Sequence, residues 1–287
     1  MNAPAFQSPP GVSSQIYGEA DFEAIRAIIH REAGIALERS KAMLVYSRLA
    51  PLVRSSNSAT FANYIKLIES DATERHQTVC ALTTNHTFFY REAHHFDHLR
   101  DVSRPMLMSQ IAHGDPVRIW SAGSSSGEEG YSILMTLLGP DKADARRIFN
   151  SDFLMLGTDL ADHAVAGARA ARYAANAVDP VPEALRNLWT ERDGNAVQIK
   201  QEVRDLAKFL PLNLLGPWPM KRQFDIIFCR NVMIYFDQPT KERLVARFAE
   251  ALRPGGFLYI GHSERVTGQA SAMLEPAGNT IYVRGTK

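Results

Sequence analysis

The chain has 287 residues, a formal net charge of +1 and 45% hydrophobic residues, ordinary for a soluble globular protein of one large or two modest domains. The charge balance gives no case for nucleic-acid or membrane-surface binding, and no apolar run approaches the ~18–20 residues that span a bilayer. The two cysteines, Cys80 and Cys229, lie in apolar patterns and are expected to be buried free thiols in a reducing cytosol.

Residues 1–18 contain Pro9-Pro10-Gly11 and no basic-then-apolar signal pattern, so a flexible leader is expected. Residues 19 to about 100 read as helical. Phe22, Ile25, Ile28 and Ile29 form one apolar stripe closed by Gly34, and Phe61, Tyr64, Ile65 and Ile68 form another. Between them Ser40 is expected to cap a helix carrying Val45, Leu49, Leu52 and Val53, which Pro51 would kink or split. From Arg118 onward strands alternate with helices. A strand at 118–121 enters a Gly/Ser loop and the helix Glu128–Leu138; a strand from Phe153 reaches Asp159; the run 224–231 follows, and the first half of Phe224–Phe236 reads as a fully buried strand. Thr240 is expected to cap the next helix, Arg253-Pro254-Gly255-Gly256 to stop it, and residues 256–260 and 280–283 to add strands. This alternation implies a mainly parallel α/β sheet with helices on both faces. Residues 178–212 break the rhythm. Pro180, Pro182, Asp193-Gly194 and the even spacing of Val197, Ile199 and Val203 suggest a small hairpin-bearing insertion.

The stretch Phe224–Phe236 ends in Arg230, Asn231 and Tyr235, polar tips at the sheet edge where α/β folds bind ligands. The loop Ala122–Gly127 lets backbone approach a ligand, although it lacks the full dinucleotide spacing and could simply pack a helix on the sheet. It also matches G-x-S-x-G with Ser125 as nucleophile, and Asp225 and His262 stand in the order a serine hydrolase would need. Asp159 could accept ribose hydroxyls or cap the following helix. His94 and His98, four apart, have metal-ligand spacing, but a packing or surface role is the expectation. From Arg39 to Lys66 there are five basic residues and no acidic one, a face that could steer an acidic partner.

The run Phe224–Phe236 closely resembles a signature of the CheR family, methyltransferases that use S-adenosylmethionine to esterify glutamates of bacterial chemoreceptors. Thr83-Thr84-Asn85, Phe89–Phe96, Trp120–Ala122, Gly127–Ser132, Asn213–Leu215 and Gly261–Glu264 resemble further family motifs in family order. The resemblance implies an all-α domain at 19–82, a linker at 83–100 that reaches the cofactor site, and a class I (Rossmann-like) methyltransferase domain at 101–287 with a β-subdomain at 178–212. It implies that Asn85, Thr87, Arg91, Glu129, Asp159, Asn213, Leu214, Arg230 and Asn231 bind the cofactor, with Asp159 on the ribose and Asn213 and Leu214 flanking the adenine. Arg91 and Tyr235 would lie nearest the reacting methyl group. Lys41, Arg48 and Arg54 would face the receptor. The expected partner is the cytoplasmic helical domain of methyl-accepting chemoreceptors, met by a cytoplasmic monomer without metal, nucleic acid or membrane insertion. The turn within Trp189–Val197 is shorter than the loop with which some family members dock a receptor pentapeptide, so pentapeptide independence is expected. The alternatives are a SAM-binding signalling module without catalysis and, from another class, a hydrolase using Ser125.

Overall fold

The computed structural model describes residue 6 and residues 10–286. The chain forms two compact units: Met1–Thr84 with Tyr235–Thr240, and Asn85–Ile234 with Lys241–Lys287.

The first unit is helical: α1 Glu19–Ala33, α2 Ala42–Ser55, α3 Phe61–Ser70 and α4 Ala72–Leu82. Both sequence stripes, Phe22/Ile25/Ile28/Ile29 and Phe61/Tyr64/Ile65/Ile68, are buried, each large apolar side chain contributing ~1.5–3 kcal/mol. Gly34 ends α1 at φ +68°, and the Asp71 carboxylate caps α4 by accepting from Thr73 N at 2.7 Å. Three details differ from expectation. A 3₁₀ turn, Arg39–Lys41, leads into α2, and the Ser40 hydroxyl donates to Glu38 instead of capping. Pro51 neither splits nor ends α2; its missing N–H would have served the carbonyl of Ser47, an exposed residue. Of the expected leader, residues 1–5 and 7–9 lie outside the described residues, but its end is built into this unit. Tyr17 is fully buried, its hydroxyl donates to Ala42 O at 3.1 Å, and its ring lies 4.5 Å from that of Phe61.

The second unit runs α5 Ala93–His98, α6 Arg104–His113, β1 Val117–Ala122, α7 Glu128–Leu138, α8 Lys142–Phe149, β2 Phe153–Asp159, α9 Asp162–Ala170 and β3 Arg172–Ala174. It continues with α10 Glu183–Trp189, β4 Thr190–Asp193, β5 Ala196–Ile199, α11 Gln201–Arg204, β6 Ala207–Pro211, β7 Phe224–Cys229, α12 Gln238–Ala251, β8 Leu252–Ile260, β9 Leu274–Gly278 and β10 Ile281–Arg284. The main sheet has the order β6-β2-β1-β7-β8-β10-β9; the first five strands are parallel and the last two antiparallel. Strand order reverses between β1 and β7, so their carboxyl ends flank a switch point, where α/β sheets open a ligand crevice. α7 is buried from Gly130 to Leu138 and packs closely on β2, since a Cβ at Gly130 would come within 2.8 Å of Met155.

The small sheet, β3-β5-β4, begins at Arg172 and ends at Ile199, shifting the insertion from its expected limits. β6 belongs to the main sheet, and Val203 lies in α11 rather than on a strand. The expected hairpin at Asp193-Gly194 is present, with Gly194 at φ +61°. Thr240 lies inside α12; Asp237, accepting from Thr240 N at 2.9 Å, plays the capping part. Cys229 is buried as expected, while Cys80 is only half-buried, with its Sγ 3.4 Å from His76 Nε2.

Candidate active site

The loop after β1 is fixed from both ends. Gly123 N and Ser124 N each donate to Thr158 O at 2.8 Å, and Gly123 and Gly127 take φ +84° and +97°, which favour glycine. Ser125, at φ +48°, turns its N–H to Asp159 Oδ2 at 2.8 Å. Asp159 Oδ1 accepts from Ala161 N at 3.0 Å and Asn85 Nδ2 at 3.2 Å, and Asn85 O accepts from Ser125 Oγ at 2.9 Å. Asp159 is 8% exposed; burial raises its pKa above the usual carboxylate range, with the surrounding N–H groups pulling the other way. Leu212 N donates to Asp159 O at 2.9 Å, so Asn213 and Leu214 follow directly from this strand end. The Asn213 side chain accepts from Leu215 N, and Leu214 O accepts from Trp218 Nε1 at 3.0 Å and Arg247 Nη1 at 2.7 Å. The Arg247 guanidinium lies 3.9 Å above the Trp218 ring.

A second cluster stands at the end of β7. The Arg230 side chain is 2% exposed, with Nε 3.5 Å from Glu129 Oε2 and 3.9 Å from Glu92 Oε2. Its Nη2 donates to Arg91 O, and its guanidinium lies 5.5 Å from the Phe96 ring centroid. Ser121 Oγ donates to Glu129 Oε1 at 2.7 Å. Burial raises the Glu129 pKa against the pull of Arg230. Burial would also raise Glu92, but Arg230, His262 and Asn231 outweigh it and hold that carboxyl below its ordinary value. Glu92 Oε1 accepts from Asn231 Nδ2 at 3.2 Å and lies 3.0 Å from His262 Nδ1. The buried Glu264 carboxylate accepts from Gly261 N at 2.6 Å and from the backbone N–H groups of Asn231, Met233 and Ile234. Arg91 is half-buried; its Nη1 donates to His86 O at 3.1 Å, and its guanidinium lies 5.7 Å from the Phe88 ring centroid. Thr87 lies half-buried in the same stretch.

The structure therefore brings Asn85, Asp159, Asn213 and Leu214 to one strand end, and Arg91, Glu129, Arg230 and Asn231 to another. Tyr235 belongs to the helical unit, where its carbonyl accepts from Ala36 N at 2.8 Å. Lys41 and Arg54 are exposed there, but Arg48 is engaged: its guanidinium donates to Leu82 O, Thr83 O and Thr84 Oγ1 at the end of α4. The hydrolase residues serve other ends, with Ser125 Oγ on Asn85 O, Asp225 paired to Arg253, and His262 on Glu92. Burial pushes the Cys229 thiol well up, as befits an unreactive core cysteine. His98 Nδ1 meets the Tyr259 hydroxyl at 2.8 Å and His94 Nε2 meets Asn279 O at 3.2 Å, the packing role expected. Ligand atoms of Glu92, His94 and His95 do gather within 4.8 Å, with the Arg230 cation beside Glu92. Sequence reasoning missed Glu92, Glu264 and Arg247 in this neighbourhood and offered His262 only as a hydrolase histidine. Glu92, Glu264 and His262 stand inside quoted motifs, but nothing in a motif tells which member turns inward.

A backbone loop with glycines in left-handed conformations, beside a buried carboxylate at a switch point, suits a nucleoside with vicinal hydroxyls. The largely buried Glu129 carboxylate at the neighbouring strand end suits the ammonium of an amino-acid tail. These residues fit S-adenosylmethionine. Residues 20–83 match the family model of the CheR methyltransferase all-alpha domain, and residues 85–283 match that of the CheR methyltransferase SAM binding domain. The chain belongs to the CheR methyltransferase family. It is 44% identical over 268 residues to a probable chemotaxis protein methyltransferase of Rhizobium etli, covering 91% of this chain and 98% of that one. Chemotaxis protein methyltransferase 2 of Pseudomonas aeruginosa is 37% identical, covering 93% of each chain. The chemotaxis protein methyltransferase of Escherichia coli is 35% identical, covering 92% of this chain and 90% of its own. As a member of the CheR family the protein is a SAM-dependent methyltransferase with a class I domain and an all-α domain, and the hydrolase reading is not favoured. Among the described residues no helix is long and apolar enough to cross a membrane.

Proposed function

We propose that the protein, a cytoplasmic monomer, methylates glutamate side chains on the helical cytoplasmic domain of chemoreceptors, and that it does so without a pentapeptide tether. The observation that carries this reading is the buried Asp159 carboxylate, tied to Ser125 N and Asn85 at the switch point. When bound, S-adenosylmethionine supplies a methyl carbon whose bond to the sulfonium breaks onto sulfur as a carboxylate oxygen bonds to carbon, leaving S-adenosylhomocysteine and a methyl ester.

Asp159 accepts the ribose hydroxyls, Asn85 and Thr87 approach from the linker, and Asn213 and Leu214 flank the adenine. Glu129, Arg230 and Asn231 serve the methionine end. In this structure the Arg230 guanidinium grips Arg91 O and stands beside two carboxylates, which supports a bracing role for it rather than direct contact. A glutamate substrate, with a pKa of ~4.3, is already ionised at neutral pH, so neither a general base nor a general acid is needed. Orientation and water exclusion then carry the reaction, together worth ~7–11 kcal/mol. Arg91 orients the substrate carboxylate. Tyr235 is proposed to assist it, on the strength of the sequence motif. Lys41 and Arg54 steer the acidic receptor helices, whereas the bonds of Arg48 to the end of α4 favour a structural part for that residue.

Calorimetric titration with S-adenosylhomocysteine tests the site. One-to-one binding by the wild type that Asp159→Ala abolishes is expected, together with methyl transfer to a receptor fragment lacking the pentapeptide. A well-folded wild type that does not bind would overturn the reading, and binding without transfer would leave a signalling module.

A further inference from the structure

We propose that Glu92 is a positioning residue for methyl transfer, fixing the backbone from which Arg91 presents its guanidinium. This rests on the reading that Arg91 orients the substrate carboxylate.

Three non-glycine residues around Arg91 take left-handed backbone conformations: Tyr90 at φ +56°, Glu92 at +61° and Asn231 at +59°. Each such residue costs about 1–3 kcal/mol and persists only where its surroundings over-determine it. Here they do. Tyr90 N donates to Ser132 Oγ on α7 at 3.0 Å, and Arg91 O accepts from Arg230 Nη2. The Glu92 side chain, 10% exposed, then ties this turn to two strand ends. Its Oε1 accepts from Asn231 Nδ2, following β7, and from His262 N at 3.3 Å, following β8. Its Oε2 has no hydrogen-bond partner and lies 3.9 Å from Arg230 Nε and 3.5 Å from His95 Nδ1. One guanidinium therefore stands against both the Arg91 carbonyl and the Glu92 carboxylate, and the carboxylate's charge keeps it there. The Arg91 side chain is held far less, by one bond to His86 O and the Phe88 ring, as suits a group that must meet a substrate.

The test is a double-mutant cycle of Glu92→Gln and Arg91→Ala in the full chain. Methyl transfer to a receptor cytoplasmic fragment is measured at saturating S-adenosylmethionine, with turnover normalised to the number of S-adenosylhomocysteine sites counted by calorimetry. Glu92→Gln should lower kcat about 10- to 100-fold in the wild-type background and hardly at all once Arg91 is gone. Independently of activity, amide exchange over residues 88–93 should accelerate in Glu92→Gln while α7 stays protected. If the glutamine variant does not fold, Glu92→Asp, which keeps the charge but shortens the reach, takes its place. Equal losses in both backgrounds, or unchanged kcat and exchange, would overturn the inference alone. An Arg91→Ala variant with undiminished turnover would instead overturn the reading on which it rests.

Discussion

The carboxyl ends of β2 and β7 solve opposite electrostatic problems. At β2 one buried carboxylate, Asp159, is surrounded by neutral donors, the N–H groups of Ser125 and Ala161 and the amide of Asn85. No full positive charge is among its hydrogen-bond partners, so burial prevails and its pKa rises. At β7 a buried cation stands between two carboxylates, and Glu92 is held below its ordinary value while Glu129 is raised. An acceptor left short of positive charge gains from new hydroxyl donors. A cluster whose cation already stands between carboxylates has less to gain from a ligand and more to lose from the removal of that cation. The first arrangement suits binding and the second suits bracing.

The sharpest way to break this comparison is Arg230→Met. It leaves Glu92 and Glu129 buried without their counter-charge and Arg91 O without its donor. Removing one partner of a buried ion pair costs ~3–5 kcal/mol, so the urea midpoint at pH 7 should fall by that equivalent. An unchanged midpoint would mean that the cluster braces nothing. Arg91→Ala should do the reverse. Its guanidinium has one hydrogen bond to lose, so stability should change little, but turnover should fall ~10²–10³-fold, the usual cost of losing one preorganised electrostatic group. S-adenosylhomocysteine affinity should fall much less than turnover. Loss of stability without loss of turnover would place Arg91 with the brace.

Legibility in the sequence followed the range of the interactions. Stripes such as Phe22/Ile25/Ile28/Ile29 and the uniform run Phe224–Cys229 are local patterns, and they became the buried faces they implied. Asp159 was legible because a strand's hydrophobic run ends on it. The insertion was misplaced because β3 and β6 are short, and only their pairing, with β5 and with β2, assigns them to different sheets. The basic run suggested a shared face for Lys41 and Arg48, yet Arg48 is used by carbonyls 34 and 35 residues away. Glu92 stayed hidden for a similar reason. Its partners Asn231 and His262 lie 139 and 170 residues away, and a left-handed glutamate leaves no mark in composition or period.

A milder test uses pH at the β2 end. Ribose hydroxyls need Asp159 ionised. Its pKa is raised in the unliganded fold, so S-adenosylhomocysteine affinity should begin to fall with decreasing pH while still above the ordinary aspartate value of ~3.9. Below the raised value the loss approaches ~10-fold per pH unit, and Asp159→Asn should bind weakly with no such slope. For folding the sign is opposite. The native state holds the Asp159 proton more tightly than the unfolded chain, so this residue subtracts stability as pH rises from ~3.9 through its raised pKa. A flat affinity profile in the wild type would deny Asp159 its hydroxyl-accepting role.

The most gradual effect, spread over several pH units, belongs to His95, beside the β7 cluster. Burial, then the charges of Arg230 and His94, pull its pKa down to about 3, so the fold keeps it neutral while the unfolded chain binds a proton below ~6.5. Stability that is full above ~6.5 should therefore be lost as pH falls toward 3, at ~1.4 kcal/mol per pH unit for this one proton. Burial also lowers His98, which therefore adds to the loss as pH falls below ~6.5. His95→Gln keeps a polar group for the Thr280 hydroxyl, which His95 Nε2 meets at 3.0 Å. It should be less stable than wild type at pH 7 yet lose stability less steeply on acidification, by about one proton's worth. Parallel curves would mean that His95 is protonated in the native state. That would set a second buried cation beside Arg230 and force Glu92 to serve both, and the single-cation brace inferred for Arg91 would have to be redrawn.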